Sequence, residues 1–479
     1  MTPVRHQTVF ERYPPAASVV AESLAGTRQA VFWLDELGPR AEYPPLAGAP
    51  TADLVVVGGG FTGLWTALRA VQREPGRRVV LLEAKRVGWA QSGRNGGFVE
   101  ASLTHGEQNG RSRWPAEYDQ LARLGMQNLD AMEATVAELG LDVQWERTGE
   151  LDVATEPHQL AWLDGIRPED GAGERVLLDA VQTQAEVHSP SYLGGTWRTR
   201  EVALVYPARL ARELARAAVE AGVVIHEHSP VRRLDEMAGG VEVVTDAGRI
   251  HARRVALGTS VFPSLLRRTR LLTVPVYDYV LVTEPLDAAQ LRSIGWEHRQ
   301  GVGDLANQFH YSRRTADDRI LFGGYDAIYH YGGRVRARYE DRPASFEKLA
   351  SHFFTLYPQL EGLHFSHRWA GAIDASTRFC AFFGTARGGR VAYAAGFTGL
   401  GVGATRFAAD TLLDLLAGEA TERTELELVR RRPVPFPPEP AASAGIAATR
   451  WSLDRADHAE GRRNVLLRTL DALGLGFDS

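Results

Sequence analysis

The chain has very little cysteine or lysine and no long apolar run. Among its 479 residues, Cys380 is the only cysteine, and Lys85 and Lys348 are the only lysines. A single cysteine excludes an internal disulfide and any cysteine-based cluster or zinc site, and we predict no metal centre. No segment has the roughly 20 uncharged apolar residues of a membrane-spanning helix, and the N-terminus has no apolar signal-peptide core. We therefore expect a soluble, cytoplasmic protein.

The chain has fewer basic than acidic residues. The 54 basic residues are outnumbered by 59 acidic residues, which gives a net charge of -5. An acidic chain is not attracted to nucleic acid or to anionic lipid, so we expect a small-molecule partner and no nucleic acid. Because 44% of the residues are hydrophobic and 24% are charged, the composition is that of a globular protein with large cores.

The segment VVVGGGFTGLWTALRA has the order strand, glycines, helix. Its glycines Gly58, Gly60 and Gly63 satisfy the G-x-G-x-x-G pattern after a β-branched run. The first glycine permits a tight turn, the second lets the backbone approach a pyrophosphate, and the third lets the helix pack closely on the strand. Since a helix N-terminus attracts anions, the segment predicts a dinucleotide-binding turn that includes Phe61 and Thr62.

A second predicted strand, at 79–82, ends at an acidic residue. Glu83 lies 20 residues beyond Gly63 and is followed by Ala84. A carboxylate at this position accepts hydrogen bonds from a ribose diol and repels a 2′-phosphate. We therefore count Glu83 and Ala84 as cofactor-binding residues and expect a cofactor other than NADP.

The next segment, GWAQSGRNGGFVE, distinguishes FAD from NAD, because a plain NAD-binding fold has no use for such a loop. With it, the chain resembles the D-amino-acid oxidase-like superfamily of FAD-dependent oxidoreductases from about residue 25 to about residue 420. The resemblance is strongest to the branch with γ-glutamylputrescine and aminophosphonate oxidoreductases. It implies that the loop runs along FAD towards the isoalloxazine ring, with contacts from Ser92, Arg94, Asn95 and Gly97.

Two further segments match landmarks of this superfamily. Val231 corresponds to the valine whose backbone holds adenine, and Gly258 lies in a segment like the family's ATG sequence. Both are therefore predicted to contact FAD.

The pentapeptide GFTGL occurs at 60–64 and again at 396–400. The second copy precedes a predicted helix, but no acid-tipped strand follows it, so it is not a second dinucleotide fingerprint. The resemblance places it beside the flavin pyrimidine, where a helix dipole stabilises negative charge. The residues assigned to this contact are Gly396, Gly399, Leu400 and Gly401. Leu400 stands where relatives commonly have a histidine.

The motif order predicts an α/β fold, in which a Rossmann-like FAD-binding domain is joined to an antiparallel-sheet α+β substrate domain. The predicted segments are an N-terminal extension at 1–50, the FAD-binding domain at 51–104, 201–264 and 366–420, the substrate domain at 105–200 and 265–365, and a helical tail at 430–479. The tail is interpreted as a packing helix, with a dimerisation element as the alternative. The oligomeric state is left open.

Candidate catalytic residues come from two places. In NQFHYSRRTADDRILFGG, a hairpin around TADD, strand alternation puts Tyr311 and Arg313 on one face and His310 on the other. The pattern does not show which face is towards the flavin. His105 follows the RNGG loop. Arg313 is the candidate anchor for an anionic substrate group.

The predicted reaction is FAD-dependent oxidation of the C–N bond of an amine or amino acid. A hydride leaves the substrate carbon for flavin N5, and the imine hydrolyses to an aldehyde or keto acid. An aminophosphonate is the alternative substrate. The alternative functions are an NAD-linked dehydrogenase and a flavin-holding electron-transfer or binding subunit.

FAD is predicted to be held non-covalently. Some relatives attach FAD through a cysteine, but alignment of AAGFTG places that cysteine near 370–372, whereas Cys380 lies in a predicted strand. The electron acceptor is oxygen or another oxidant. Because neither lysine is expected beside N5, an oxygen-activating cation would be Arg94, His105 or His310, and we expect slow or moderate oxygen reactivity.

Overall fold

A computed structural model describes residues 6–163 and 175–475, and its strands form two large sheets and one two-stranded ribbon. Among these residues, no helix is long and apolar enough to cross a membrane. The two large sheets correspond to the α/β and α+β parts that the sequence predicts. The predicted fold class is confirmed.

Two neighbouring strands of the first large sheet, Thr51–Val57 and Val79–Leu82, pair through buried valine and leucine residues. Leu54 pairs in parallel with Val79, and the register continues to Val57 with Leu82. Strands buried on both faces read as continuous apolar runs, as these do. The strand order of this sheet is Val231–Met237, Gly240–Thr245, Arg249–Leu257, Thr51–Val57, Val79–Leu82 and Val224–His226, with Val391–Ala395 parallel to Arg249–Leu257 and Phe382–Ala386 antiparallel to Val391–Ala395.

Three long helices pack around this sheet: Phe61–Arg73, Pro207–Glu220 and Ala404–Ala417. Pro207 occupies the first turn of its helix, where a missing N–H is not needed. Gly418 ends the last helix in the left-handed conformation, with φ +76°. The helix Tyr118–Glu138 packs on Ala404–Ala417.

The second large sheet has ten strands and is mainly antiparallel. In order, its strands are Arg28–Gln29, Phe365–Ala375, Val274–Thr283, Ile320–Gly324, His310–Arg314, Gly301–Asp304, Glu150–Ala154, Gly194–Arg198 and Arg175–Asp179, with Ile328–Tyr329 paired to Val274–Thr283. The helix Pro343–Leu356 packs against it and buries Phe346 and Phe353. The expected hairpin around TADD is confirmed, since Tyr311 pairs with Gly323.

The remaining elements connect these layers. The ribbon pairs Phe98–Glu100 with Val202–Leu204. The other helices are Val9–Arg12, Ala17–Leu24, Phe32–Asp35, Glu107–Arg113, Leu160–Leu163, Ala180–Glu186, Ala288–Ile294, Glu422–Glu425, Glu427–Arg430, Ala441–Asp457 and Val465–Ala472. The division into domains stays a prediction, although Phe365–Ala375, largely within a segment assigned to the FAD-binding domain, pairs in the ten-stranded sheet.

Candidate active site

A cavity of about 2080 Å³ is lined by residues of both large sheets. It exceeds the roughly 300–1,000 Å³ of a typical small-ligand pocket, so it has room for a dinucleotide and a substrate together. At one end its wall contains Val57 and Leu82, the last residues of two parallel strands. In open α/β sheets, ligands bind beyond the carboxyl ends of such strands.

Close backbone packing shapes the first glycine turn. Gly58 has φ +110°, and a Cβ there would lie 2.5 Å from the carbonyl oxygen of Gly258. A Cβ on Gly63 would lie 1.8 Å from the carbonyl oxygen of Gly58. The turn therefore requires glycine at both positions. Gly60, Phe61 and Thr62 follow it along the cavity wall.

Ser92 joins the SGRNGG loop to the start of the helix Phe61–Arg73 through a hydrogen bond. The N–H of Phe61 donates to the Ser92 Oγ over 2.9 Å. A Cβ on Gly60 would lie 2.9 Å from the same oxygen. The serine and the glycine together bring the SGRNGG loop against the helix N-terminus, where backbone N–H groups attract anions.

Glu83 is buried, and backbone and indole N–H groups surround it. Its Oε2 accepts from the N–H of Gly59 over 2.7 Å, and its Oε1 accepts from the N–H of Lys85 and the Nε1 of Trp89 over 2.8 and 2.9 Å. Burial raises the pKa of the Glu83 carboxyl. Glu83 and Ala84 both line the cavity.

The side chains of the SGRNGG loop mostly hold the loop itself. Asn95 donates through Nδ2 to the carbonyl of Gln91 over 2.9 Å and accepts through Oδ1 from the N–H of Gly97 over 2.8 Å. Arg94 donates to the carbonyl of Trp89 over 3.0 Å and forms an ion pair with Glu340, with Nη1 2.5 Å from Oε2. The predicted contact residues Ser92, Arg94, Asn95 and Gly97 all line the cavity.

The second GFTGL loop lies on another side of the cavity. Gly396 has φ +76°, and its N–H donates to Asp374 Oδ2 over 2.6 Å. Burial raises the pKa of the Asp374 carboxyl to about 6. Gly399, Leu400 and Gly401 line the cavity, whereas Gly396 lies outside its lining. The helix begins after this loop, at Ala404.

His105 and Tyr311 are the two predicted catalytic residues that line the cavity. A Cβ on Gly399 would lie 3.8 Å from His105 Nε2, so the imidazole borders the second GFTGL loop. Burial lowers the pKa of His105, which favours the neutral imidazole. Tyr311 donates its hydroxyl to Asp278 Oδ2 over 2.6 Å.

His310 and Arg313 lie outside the cavity lining. His310 is on the opposite face of its strand, with Nδ1 2.6 Å from Asp304 Oδ2 and Nε2 2.9 Å from His352 Nδ1. Arg313 shares the face of Tyr311 but is only 2% exposed, and its Nη1 donates to the carbonyl of Val205 over 2.6 Å. Its longer contacts, 3.4 and 3.5 Å, reach the carbonyls of the SGRNGG loop. The catalytic roles of His310 and Arg313 stay predictions.

Several carboxylates of the cavity wall were missed from the sequence, among them Glu100, Glu150 and Asp278. Glu150 pairs with Arg198, Oε2 to Nη2 2.5 Å, and burial raises its pKa to about 8. Asp278 could have been found, because it is the single charged residue in the strand sequence VPVYDYVLVT. The other two belong to short strands without a distinctive pattern.

The predicted adenosine contacts and the C-terminal tail complete the lining. Val231 begins the strand Val231–Met237 and lines the cavity with Gly258. The tail contributes Val434–Phe436 and one side of the helix Ala441–Asp457. It is held there by Asp457, which accepts from Asn307 Nδ2 over 2.7 Å. The packing interpretation of the tail fits these contacts.

One possible metal-ligand group exists among residues 6–163 and 175–475. Asp35, Glu36 and His367 offer ligand atoms within 4.8 Å of one another. Asp35 already pairs with Arg28 over 2.7 Å, and the group lies outside the cavity lining. Asp35 also pairs with His367 over 3.1 Å, so ion pairs account for two of the three residues.

Comparisons with known proteins agree on one family. Residues 53–415 match the family profile described as DAO, FAD dependent oxidoreductase. The γ-glutamylputrescine oxidoreductase of Escherichia coli K12 is 30% identical over 391 residues, which cover 79% of this chain and 87% of that protein. The probable oxidoreductase OrdL of Haemophilus influenzae is 27% identical, over 81% of this chain and 88% of that protein.

Solved structures show the same fold. The glycine oxidase of Geobacillus kaustophilus superimposes with a TM-score of 0.64 at 19% identity, and the match covers 80% of this chain and 99% of the oxidase. The L-amino acid deaminase of Proteus vulgaris has a TM-score of 0.65 at 18% identity, over 80% and 97% of the two chains. At this identity the likeness extends to the fold.

Proposed function

Since the chain belongs to the DAO family of FAD-dependent oxidoreductases, we propose that it oxidises the C–N bond of an amine or amino acid. The observation that carries the proposal is the single cavity that joins the dinucleotide turn to the Tyr311 face of the ten-stranded sheet. Family membership sets aside the NAD-linked alternative. The substrate class rests on relatives whose names specify amines and amino acids.

The residues present fit FAD. Gly58 and Gly63 leave no room for a Cβ, so the backbone turns as a pyrophosphate requires. Glu83 has its two oxygens at the end of the second strand, on the cavity wall, where a ribose diol would donate to them. When bound, FAD supplies a two-electron hydride acceptor at N5.

We propose non-covalent attachment. Cys380 is fully buried and lies outside the cavity lining, and burial raises the pKa of its thiol. A buried neutral thiol is a poor nucleophile.

The cavity walls exclude water from the reacting carbon and orient the substrate. The ten-stranded sheet contributes Val276, Val280 and Ile373 as apolar surface, and Tyr311 with Asp278 as polar groups. His105, with its lowered pKa, offers a neutral imidazole on the other side. Apolar walls with few convergent polar groups are typical of small-molecule sites.

The electron acceptor is proposed to be oxygen, reacting slowly, or another oxidant. Lys85 lies over the Trp89 ring, with its Nζ 4.0 Å from the ring centre, and Lys348, which is outside the cavity lining, pairs with Asp326 over 3.1 Å. Of the predicted cations, Arg94 is paired with Glu340. A cytoplasmic location stays part of the proposal.

The function is tested by incubating the purified protein, under anaerobic conditions and with an artificial electron acceptor, with separate panels of amines, amino acids and aminophosphonates. The proposal predicts that one of the first two panels yields an aldehyde or keto acid together with released amine or ammonia. Turnover of aminophosphonates alone would select the alternative substrate. No product from any panel would favour a flavin-holding electron-transfer or binding subunit.

A further inference from the structure

Asp278 is a carboxylate in the wall that covers the predicted flavin region. It is the one charged residue of the strand Val274–Thr283, and its neighbours along the cavity side of that strand are Val276 and Val280. Apolar residues would suffice to close the site. A carboxylate among them is costly to bury and is retained where it has a partner.

The hydrogen bonds of Asp278 are all made by neutral donors. Tyr311 donates its hydroxyl over 2.6 Å, and the backbone N–H groups of Tyr279 and Gly324 also donate. Across the described part of the chain, no arginine, lysine or histidine forms an ion pair with Asp278. Its negative charge therefore faces the cavity, and His310, behind the sheet, acts on it only at a distance beyond that of an ion pair.

The neighbouring charges do not supply a cation that pairs with Asp278. Arg94 is held by Glu340, so the pair is neutral in sum. His310 lies behind the sheet, where its Nδ1 is bound to Asp304. Burial raises the pKa of Asp278 to about 6, which makes it a better proton acceptor than an exposed aspartate.

Glycine residues leave space around Tyr311 and Asp278. A Cβ on Gly96 would lie 2.8 Å from Tyr311 Cε2, and a Cβ on Gly323 would lie 2.5 Å from the Tyr311 hydroxyl. Gly371 is the partner of Asp278 across the sheet. The phenol therefore reaches Asp278 directly, and it stands against the SGRNGG loop that is expected to follow the flavin.

We propose that Asp278, with Tyr311, binds the ammonium group of a cationic amine substrate and that Asp278 accepts one proton from it. An N–H bond of the ammonium breaks, an O–H bond forms on the Asp278 carboxylate, and the lone pair stays on the neutral amine. Tyr311 keeps its proton and holds the carboxylate in place. A neutral amine is the form from which hydride transfer proceeds. The proposal rests on the function proposed above.

A cation that cannot be oxidised tests the binding of the ammonium group separately from the proton transfer. The tert-butylammonium ion has no hydrogen on the carbon that bears nitrogen, so it cannot be dehydrogenated, and tert-butanol is its neutral counterpart. Binding to the FAD-loaded protein is measured by isothermal titration and by the flavin difference spectrum. The wild type is expected to bind the cation more tightly than the alcohol. Equal binding of the two would overturn the proposal.

The Asp278→Asn variant is expected to bind tert-butylammonium about 10- to 100-fold more weakly, since a charge-assisted hydrogen bond is lost. Tyr311→Phe should lose several-fold. Two controls should bind like the wild type: Tyr192→Phe, which removes a buried hydroxyl bonded to Tyr357 over 2.8 Å, and Asp142→Asn, at an exposed position. Thermal unfolding and flavin content show whether each variant folds. If Asp278→Asn fails to fold, Asp278→Glu and Tyr311→Phe decide.

The pH profile tests the proton transfer. For an amine that the wild type oxidises, kcat/KM of Asp278→Asn should fall at neutral pH and recover at high pH, where the amine is already neutral. Tyr279, Tyr311 and His310 are ionisable groups that interact with Asp278, the Arg94 and Glu340 pair lines the same cavity, and all five remain in this variant. If the wild type oxidises an amine, and Asp278→Asn has the same pH profile of kcat/KM and the same affinity for tert-butylammonium as the wild type, this inference is overturned and the proposed function is not. A wild type that oxidises no amine would overturn the proposed function instead.

Discussion

Replacing Glu83 tests the predicted FAD-binding residues with a single change. Three N–H groups donate to its carboxylate over 2.7, 2.8 and 2.9 Å: those of Gly59 and Lys85 and the Trp89 indole. In Glu83→Ala all three lose their acceptor. Because Glu83 lies on the cavity wall, the change also removes the acceptor predicted for the ribose diol.

The expected magnitude follows from these contacts. Each buried donor left without an acceptor lowers the free energy of unfolding by about 1–3 kcal/mol. Removing a buried carboxylate offsets part of this loss, because the carboxylate itself is unfavourable to bury. We expect Glu83→Ala to lower the free energy of unfolding by about 2–4 kcal/mol. FAD should bind about 10- to 100-fold more weakly, through the loss of charge-assisted bonds to the ribose. Glu83→Gln should lie between the wild type and Glu83→Ala, because it keeps one acceptor oxygen.

The assay has two parts. Denaturant unfolding gives the stability change, and ultrafiltration with flavin fluorescence of the filtrate gives the FAD dissociation constant. Glu74→Ala is the matched control, because its side chain is 68% exposed, and it should stay within about 0.5 kcal/mol of the wild type. If Glu83→Ala retains wild-type stability and FAD affinity, the assignment of Glu83 to the cofactor end is wrong.

Three further changes test other parts of the account. Gly97→Ala, at φ +82° with its Cβ 2.3 Å from the Val205 carbonyl oxygen, should displace the SGRNGG loop and lower flavin content and melting temperature, and unaltered values would contradict the strain argument. Arg313→Met separates two roles: an anion anchor predicts a steep rise in KM for anionic substrates only, whereas the bond to Val205 predicts a similar effect on neutral ones. Cys380→Ala should leave FAD content unchanged, and acid precipitation of the wild type should release the yellow colour into the supernatant, since colour kept in the pellet would show covalent attachment.

The sequence predicts most of the cofactor end because close backbone packing requires particular residues there. Gly63 is required by a contact with the carbonyl oxygen of Gly58, and such a local constraint is visible as a spacing, whereas Gly58 is required by its φ of +110° and by Gly258, far along the chain. The acid at the end of the second strand is a similar local signal. The strand alternation also correctly put Tyr311 and Arg313 on one face.

The substrate end is less visible in the sequence, because its contacts are long-range. Asp278 and Tyr311 are 33 positions apart, and only the pairing of their strands in one sheet brings the hydroxyl to the carboxylate. Arg313 shares the face of Tyr311 but lies under the SGRNGG loop, because the Val205 carbonyl accepts its hydrogen bond. Alternation gives the face of a strand, whereas the position of a side chain along the sheet decides whether it reaches the cavity.

We infer that this chain holds FAD and reduces it with electrons from an amine or amino acid. Anaerobic addition of amines and amino acids to the purified protein, followed by visible absorption, tests it directly. We predict a flavin band near about 450 nm that bleaches on addition of a substrate from one of these classes and returns when an oxidant is admitted. A protein without that band, or with a band that no amine or amino acid bleaches, would contradict this inference.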